Sequence, residues 1–348
     1  MADHHSKTGA RIAAFAGLAC FGLVAAGCSS SPSTPASGGS SAGARASAKP
    51  TGTVNVAYAS SLQFLNSKVV SPAFTSAQGY TFSGRSSASG ELEQNILSGE
   101  ISPNVFEAVG GDNITPLQPK FTKWYVQYAG TSIVVAYNPN GPHAAEFKAI
   151  ADGSKPLCSL FSNTLQTSGL KLGRTDPNID PQGRDFIMML ELAQSYCHLP
   201  PDTVAKILGT SDLGTASSPQ IYAESSLDST LQAGQLDASS AFITQAVELK
   251  LPYITLPDAI SLGSFADAAA YKKATVTVKS GKTYKGSPQV IDITTIGTPT
   301  AAGTAFVKYT LSSAGLAQYK AGGFTVLTPT VFGDASAVPA AIKSELGS

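Results

Sequence analysis

Thr175-Asp176-Pro177-Asn178-Ile179-Asp180-Pro181-Gln182-Gly183-Arg184 has the make-up of a helix N-terminus able to hold an anion. Asp180 is a good N-cap, and Pro181 suits the first helical position. Phe186, Met189, Leu190, Ala193 and Cys197 then fall on one face at helical spacing. The N–H groups of Gln182 and Gly183 are expected to lack intrahelical partners and to lie at the positive end of the helix dipole. An ordinary capped helix would carry the same residues, so the segment alone does not demand a ligand. Two Ser-rich turns, Ser60-Ser61 and Ser86-Ser87-Ala88-Ser89-Gly90, could each direct hydroxyls and N–H groups at one small oxyanion. Taken singly they are weak signals, because serine is a common cap.

Holding such turns together takes alternating strands and helices. Val54 to Ala59 reads as a buried strand, and Ser60-Ser61 opens a helix through Val69. Thr81 to Ser83 is strand-like, Glu91 to Ser98 is helical, and Val105 to Val109 is again a buried strand. Trp124 to Tyr128 and Ser132 to Tyr137 form a longer β segment, and residues 140–245 read as a separate α/β set. Strands return at Tyr253 to Leu256, Ala274 to Val278 and Val290 to Ile296, followed by a helix from Ala302 to Tyr319. This order predicts an α/β fold with parallel pairing, and ligands in such folds sit at the carboxyl ends of strands.

The amino terminus reads as an export signal. Lys7 and Arg11 precede an apolar run, Ile12 to Ala26, that is short for a membrane span. Ala25-Ala26-Gly27-Cys28 resembles a bacterial lipoprotein cleavage box, with Cys28 as the lipidated first mature residue; a soluble secreted form or an uncleaved anchor is the alternative. Ser29 to Lys49 is Ser, Ala, Gly and Pro with little apolar bulk, a flexible tether of roughly 25 Å. Nearly 300 residues remain from Thr51, comfortable for two lobes. Net charge is zero and charged residues make up 13% of the chain, so no basic stripe points to nucleic acid. Beyond the signal only Cys158 and Cys197 remain, either one disulfide or two buried thiols.

Several blocks in order resemble the tungstate/molybdate-binding proteins of ABC importers, a class of two-lobed periplasmic solute-binding proteins. They are Val56 to Leu62, Trp124 to Tyr137, Thr175 to Arg184, Leu231 to Asp237, Leu256 to Gly263 and Gly286-Ser287-Pro288. The resemblance covers Val54 to Thr328 and is most specific at residues 175–184 and in the Leu256-Pro257-Asp258 block. It implies a type II fold with a mixed, helix-flanked sheet in each lobe and the ligand cleft between them. Lobe I would hold residues 51–130 and 248–348, lobe II residues 131–247, with crossings near Tyr128–Ser132 and Val247–Tyr253. The implied ligands are Ser61, Ser89, the Asp180 carboxylate with the Gln182 N–H, and the Glu224 carboxylate; Ser60, Ser87 and Thr244 are secondary. Tungstate or molybdate would be the bound ligand, with no cofactor. The implied partner is an ABC permease, met by a monomer anchored at the outer face of the membrane through Cys28.

A dianion about 4 Å from a carboxylate is repelled by roughly 8 kcal/mol at an effective dielectric of 20. Two acids therefore suit sulfate or phosphate poorly. Molybdenum(VI) and tungsten(VI) can instead take carboxylate oxygens as extra hard ligands. Two positions depart from the family pattern: Glu91 after Gly90, a third acid unless it points away or pairs with Arg85, and Thr244 where a tyrosine is expected. The rival readings are a binder of sulfate, phosphate or an organic acid, and a surface adhesion or assembly protein. An enzyme is not expected. His4, His5, His143 and His198 make no metal spacing, and Gly281-Lys282-Thr283 has Val276 where a phosphate loop needs glycine.

Overall fold

A computed structural model describes residues 50–346. The signal segment, Cys28 and tether residues 29–49 lie outside the described residues. Two sheets organise the rest. The first is six-stranded, built from β1 (Thr53–Ala59), β2 (Thr81–Ser87), β3 (Val105–Val109), β4 (Trp124–Thr131), β11 (Gln289–Thr295) and β12 (Thr325–Gly333), in the order β12-β4-β11-β3-β1-β2. The second is four-stranded, built from β5 (Ile133–Tyr137), β6 (Leu172–Gly173), β7 (Ala238–Phe242) and β8 (Tyr253–Ile254), in the order β6-β7-β5-β8. β9 (Thr275–Thr277) and β10 (Thr283–Lys285) form a separate hairpin. Every residue of β3, β5 and β11 is buried, as expected of strands covered on both faces.

Parallel pairing holds for β1 with β2 and β3, and for β6 with β7. The remaining ladders are antiparallel, so both sheets are mixed. Only Ser132 separates β4 from β5, so one run of chain serves both sheets. The second crossing differs from the expectation at Val247–Tyr253. β8 pairs with β5 inside the four-stranded sheet, and the chain rejoins the six-stranded sheet only at β11. The helix expected over Ala302 to Tyr319 is two helices, Ala301–Leu311 and Ser313–Ala321. Ser312 adopts extended backbone between them, and its Oγ accepts from the Gly315 N–H.

Cys158 and Cys197 are bonded, which decides between the two sequence readings. The bridge fastens the Cys158–Ser162 helix to the carboxyl end of the Pro181–Tyr196 helix. Inside the first sheet's layer, fully buried Glu107 accepts from Asn66 Nδ2 at 2.7 Å and from the hydroxyls of Tyr128 and Tyr319. These bonds satisfy a carboxyl whose burial raises its pKa. They also tie β3, β4 and the Ser313–Ala321 helix to the segment just after the first serine turn. Among the described residues, no helix is long and apolar enough to cross a membrane.

Candidate functional site

The carboxyl end of β1 runs into a tight turn, Ser60–Leu62, with all three residues buried. Ser61 is 4% exposed, and its hydroxyl has no hydrogen-bond partner. At the end of β2, Ser89 opens the Ser89–Ser98 helix, and its Oγ accepts from the Val109 N–H at 3.1 Å. The Ser89 hydroxyl hydrogen remains available for another acceptor. Next to it, the Gly90 N–H donates to the Ile179 carbonyl at 2.9 Å. A Cβ on Gly90 would lie 2.5 Å from that oxygen, so only glycine permits this approach. The two helix starts therefore meet, one following β2 of the six-stranded sheet and the other packed on the four-stranded sheet.

Asp180 caps the second of these starts as expected, with Pro181 as its first residue. Its Oδ1 accepts from the Gln182 N–H at 2.9 Å. This corrects one expectation: the Gln182 N–H does not point free of the first turn, because the cap itself takes it. Gly183 sits where an added Cβ would be 2.4 Å from the Thr175 carbonyl, so this helix start lies hard against its own approach segment. Glu224 is the first residue of the Glu224–Gln232 helix and is buried.

The fold brings Asp180 and Glu224 together. Burial is the main cause that raises Glu224 well above the usual carboxylate range, and the charges of Asp180 and Asp228 add to it. The hydroxyl of Ser60 and the amide of Gln245 pull the other way. Asp180 is pushed up to about 6, chiefly by burial, against the Gln182 N–H and the Arg184 guanidinium. Two neighbouring acids of this kind titrate as a pair. Glu224 lines a cavity of about 230 Å3 whose other walls include Ser60, Ser61, Asp228, Gln245 and Glu248.

The remaining expected residues are placed differently. Ser87 Oγ donates to Glu91 Oε2 at 2.6 Å, so this serine is committed and the extra acid has a partner. That partner is not Arg85, which pairs with Glu100. The Thr244 hydroxyl is fully buried, 3.4 Å from the Thr131 hydroxyl, at the joint between β4 and β5.

One participant carries little sequence signal. Gln245 donates to Glu224 Oε1 at 3.2 Å, yet in the sequence it is only a polar residue three positions into a short helix. Arg184 spans from the Pro181–Tyr196 helix to the loop after β3. Its Nη2 is 3.5 Å from Asn113 Oδ1 and 4.0 Å from Asp112 Oδ2, and its guanidinium lies over Tyr284.

The sequence pattern of bacterial extracellular solute-binding proteins matches residues 54–325. A Haloferax volcanii protein, named for molybdenum binding in an ABC transporter, is 32% identical over 218 residues, 62% of this chain and 65% of that protein. The molybdate/tungstate-binding protein of Pyrococcus abyssi is 30% identical over 247 residues, 65% of this chain and 68% of that protein. The matched region thus spans about two thirds of the length of these relatives. Among solved structures, the periplasmic molybdate-binding protein of Azotobacter vinelandii superposes with a TM-score of 0.52 at 16% identity, covering 79% of this chain and 99% of that one. The sulfate-binding protein of Mycobacterium tuberculosis gives 0.51 at 12% identity, covering 84% and 89%. At such identities these two structures bear on the fold alone.

Proposed function

Because the chain belongs to the family of bacterial extracellular solute-binding proteins, we propose that it captures molybdate or tungstate between two lobes and delivers it to an ABC permease. One observation carries the choice of ligand: Asp180 and Glu224 are both buried and near enough for their charges to interact, and Glu224 lines a cavity together with the unpartnered Ser61 hydroxyl. A pair of carboxyls repels a sulfate-like dianion but supplies hard oxygen ligands to a molybdenum(VI) or tungsten(VI) centre. The names of the Haloferax and Pyrococcus relatives support the same ligand class.

In this reading Asp180 and Glu224 reach the metal centre, while Ser61 and Ser89 donate to its oxo groups. Gln182 holds Asp180 in place through its N–H, and Ser60 backs Glu224. The lobes are residues 51–130 with 248–348, and 131–247, the sheet pairing of Tyr253–Ile254 carrying the second lobe somewhat further. The protein acts as a carrier, not a catalyst. It works as a monomer outside the cytoplasm, held to the membrane by lipid on Cys28.

Calorimetric titration of the purified chain, freed of bound anion, tests the ligand. Tight binding of molybdate and tungstate with no response to sulfate or phosphate is the expected result. Binding of sulfate or phosphate alone would reduce Asp180 to a helix cap and overturn the assignment.

A further inference from the structure

A second cavity, of about 350 Å3, has walls from both layers. On one side stand Asp112, in the loop after β3, and Tyr125; on the other stand Arg184 and the hairpin residues Lys282 and Tyr284. The β9–β10 hairpin is fastened to the helix side. The Thr275 N–H donates to Glu191 Oε2 at 2.7 Å, and the Lys279 N–H to Asn178 Oδ1 at 2.9 Å. Arg184 is 3% exposed, and its guanidinium is held from its own side. Nη1 donates to the Pro177 carbonyl at 3.3 Å, and the group lies 4.1 Å from the Tyr284 ring centroid. Nη2 is the end that reaches across to Asn113 Oδ1 and Asp112 Oδ2. Asn113 is fixed in turn, its Nδ2 donating to the Val109 carbonyl at 2.7 Å. The Val109 N–H is the group that holds Ser89 Oγ, and the Arg184 N–H meets the Asp180 carbonyl at 3.4 Å. One crossing contact therefore joins the carriers of two expected ligand residues. Charge is complementary across it. Burial lifts the Glu93 carboxyl, on the Ser89–Ser98 helix, to about 7; Lys282 and Arg184 oppose the rise, and Asp112 adds to it.

We propose that Arg184 is a positioning residue for anion capture: its Nη2 clasps the Asp112–Asn113 loop when the layers close, and so holds Ser89 and Asp180 on one ligand. The proposal rests on the oxyanion reading and deepens it. Pro177 and Tyr284 order the guanidinium beforehand, so reaching across costs little side-chain entropy. Burial strengthens the attraction to Asp112. At 3.5 and 4.0 Å the crossing contacts are long, as suits a joint that makes and breaks. Clasp and ligand favour the same closed form, so losing the clasp lowers its population and the apparent affinity with it. A contact made only on closing acts chiefly on release. Lysine in this place would keep the charge but could not hold both ends of the fork at once.

Release of radioactive molybdate from the full chain, chased with unlabelled molybdate, tests this. Arg184→Met should release about tenfold faster than wild type, with Arg184→Lys in between. Asp112→Asn, on the opposite wall, should release about threefold faster. Association rates should stay within about twofold. The double variant should release no faster than Arg184→Met alone, because both changes remove one contact. Asp112 is half exposed, so its variant decides the matter if Arg184→Met does not fold. Small-angle scattering of the ligand-free protein should give a larger radius of gyration for both single variants. Effects that multiply in the double variant, or wild-type release in Asp112→Asn, would confine Arg184 to its own layer and overturn the proposal. A wild type that binds no molybdate would overturn the oxyanion reading instead. Scattering then decides the clasp by itself, which fails if neither substitution changes the ligand-free radius.

Discussion

Burial holds Asp180 at about 6, so between the ordinary value near 4 and about 6 the native state keeps a proton that the unfolded chain gives up. Its contribution to stability is therefore present at acid pH and is lost as pH rises through that window. Glu248, raised to about 8 by burial, extends the decline. Asp180→Asn should remove this cost while keeping a good cap. The expected result in urea unfolding is a ligand-free variant more stable than wild type near neutrality by up to about 3 kcal/mol, with the difference closing toward pH 4. The same variant, and Glu224→Gln, should each weaken molybdate binding tenfold or more by calorimetry; wild-type affinity in both would displace the site. Asp180 is legible in the sequence because a cap followed by proline is a local pattern. Gln245 is not, because its partners Gln182 and Glu224 lie 63 and 21 residues away and only the fold unites them.

Among the elements, the Pro181–Tyr196 helix is held at both ends. Its start meets the Ser89–Ser98 helix through Gly90, and its far end is bonded to the Cys158–Ser162 helix. Gly90→Ala puts a methyl group against the Ile179 carbonyl at a junction between layers, so the two helix starts must shift apart. Molybdate affinity should fall at least tenfold in that variant with little change in thermal midpoint. Removing the disulfide with Cys158→Ser and Cys197→Ser should do the reverse. Opening a loop of 39 residues costs about 4 kcal/mol in denaturant unfolding, with anion affinity nearly unchanged. Element reading from sequence succeeds where hydrophobic pattern and turn residues agree, as for β1, β3 and the Pro181 helix. It fails at Ser312, which resembles any exposed serine until its capping bond is seen. It also misses β12, an edge strand containing Pro329 beside a break in register, where no regular alternation survives.

For the molecule as a whole, a ligand that touches both serine turns and both acids favours the form in which they are close. Small-angle scattering of the full chain should show contraction on adding molybdate, and calorimetric melting should shift upward with ligand concentration. Contraction absent at saturation would mean that the two layers do not move relative to each other. The two-lobed α/β plan is legible early because Ser turns, cap and strand patterns recur in a fixed order. The pairing directions are not, because β11 returns after a long excursion through the second sheet and enters antiparallel. The amide chain through Gln182 and Gln245 bears also on descent. Gln245 donates to Glu224 Oε1 and accepts from the Gln182 amide, so the acid at 224 and the amides at 245 and 182 form one bonded unit. The two glutamines should thus be inherited as a pair, exchanged together in those relatives whose binding preference has drifted.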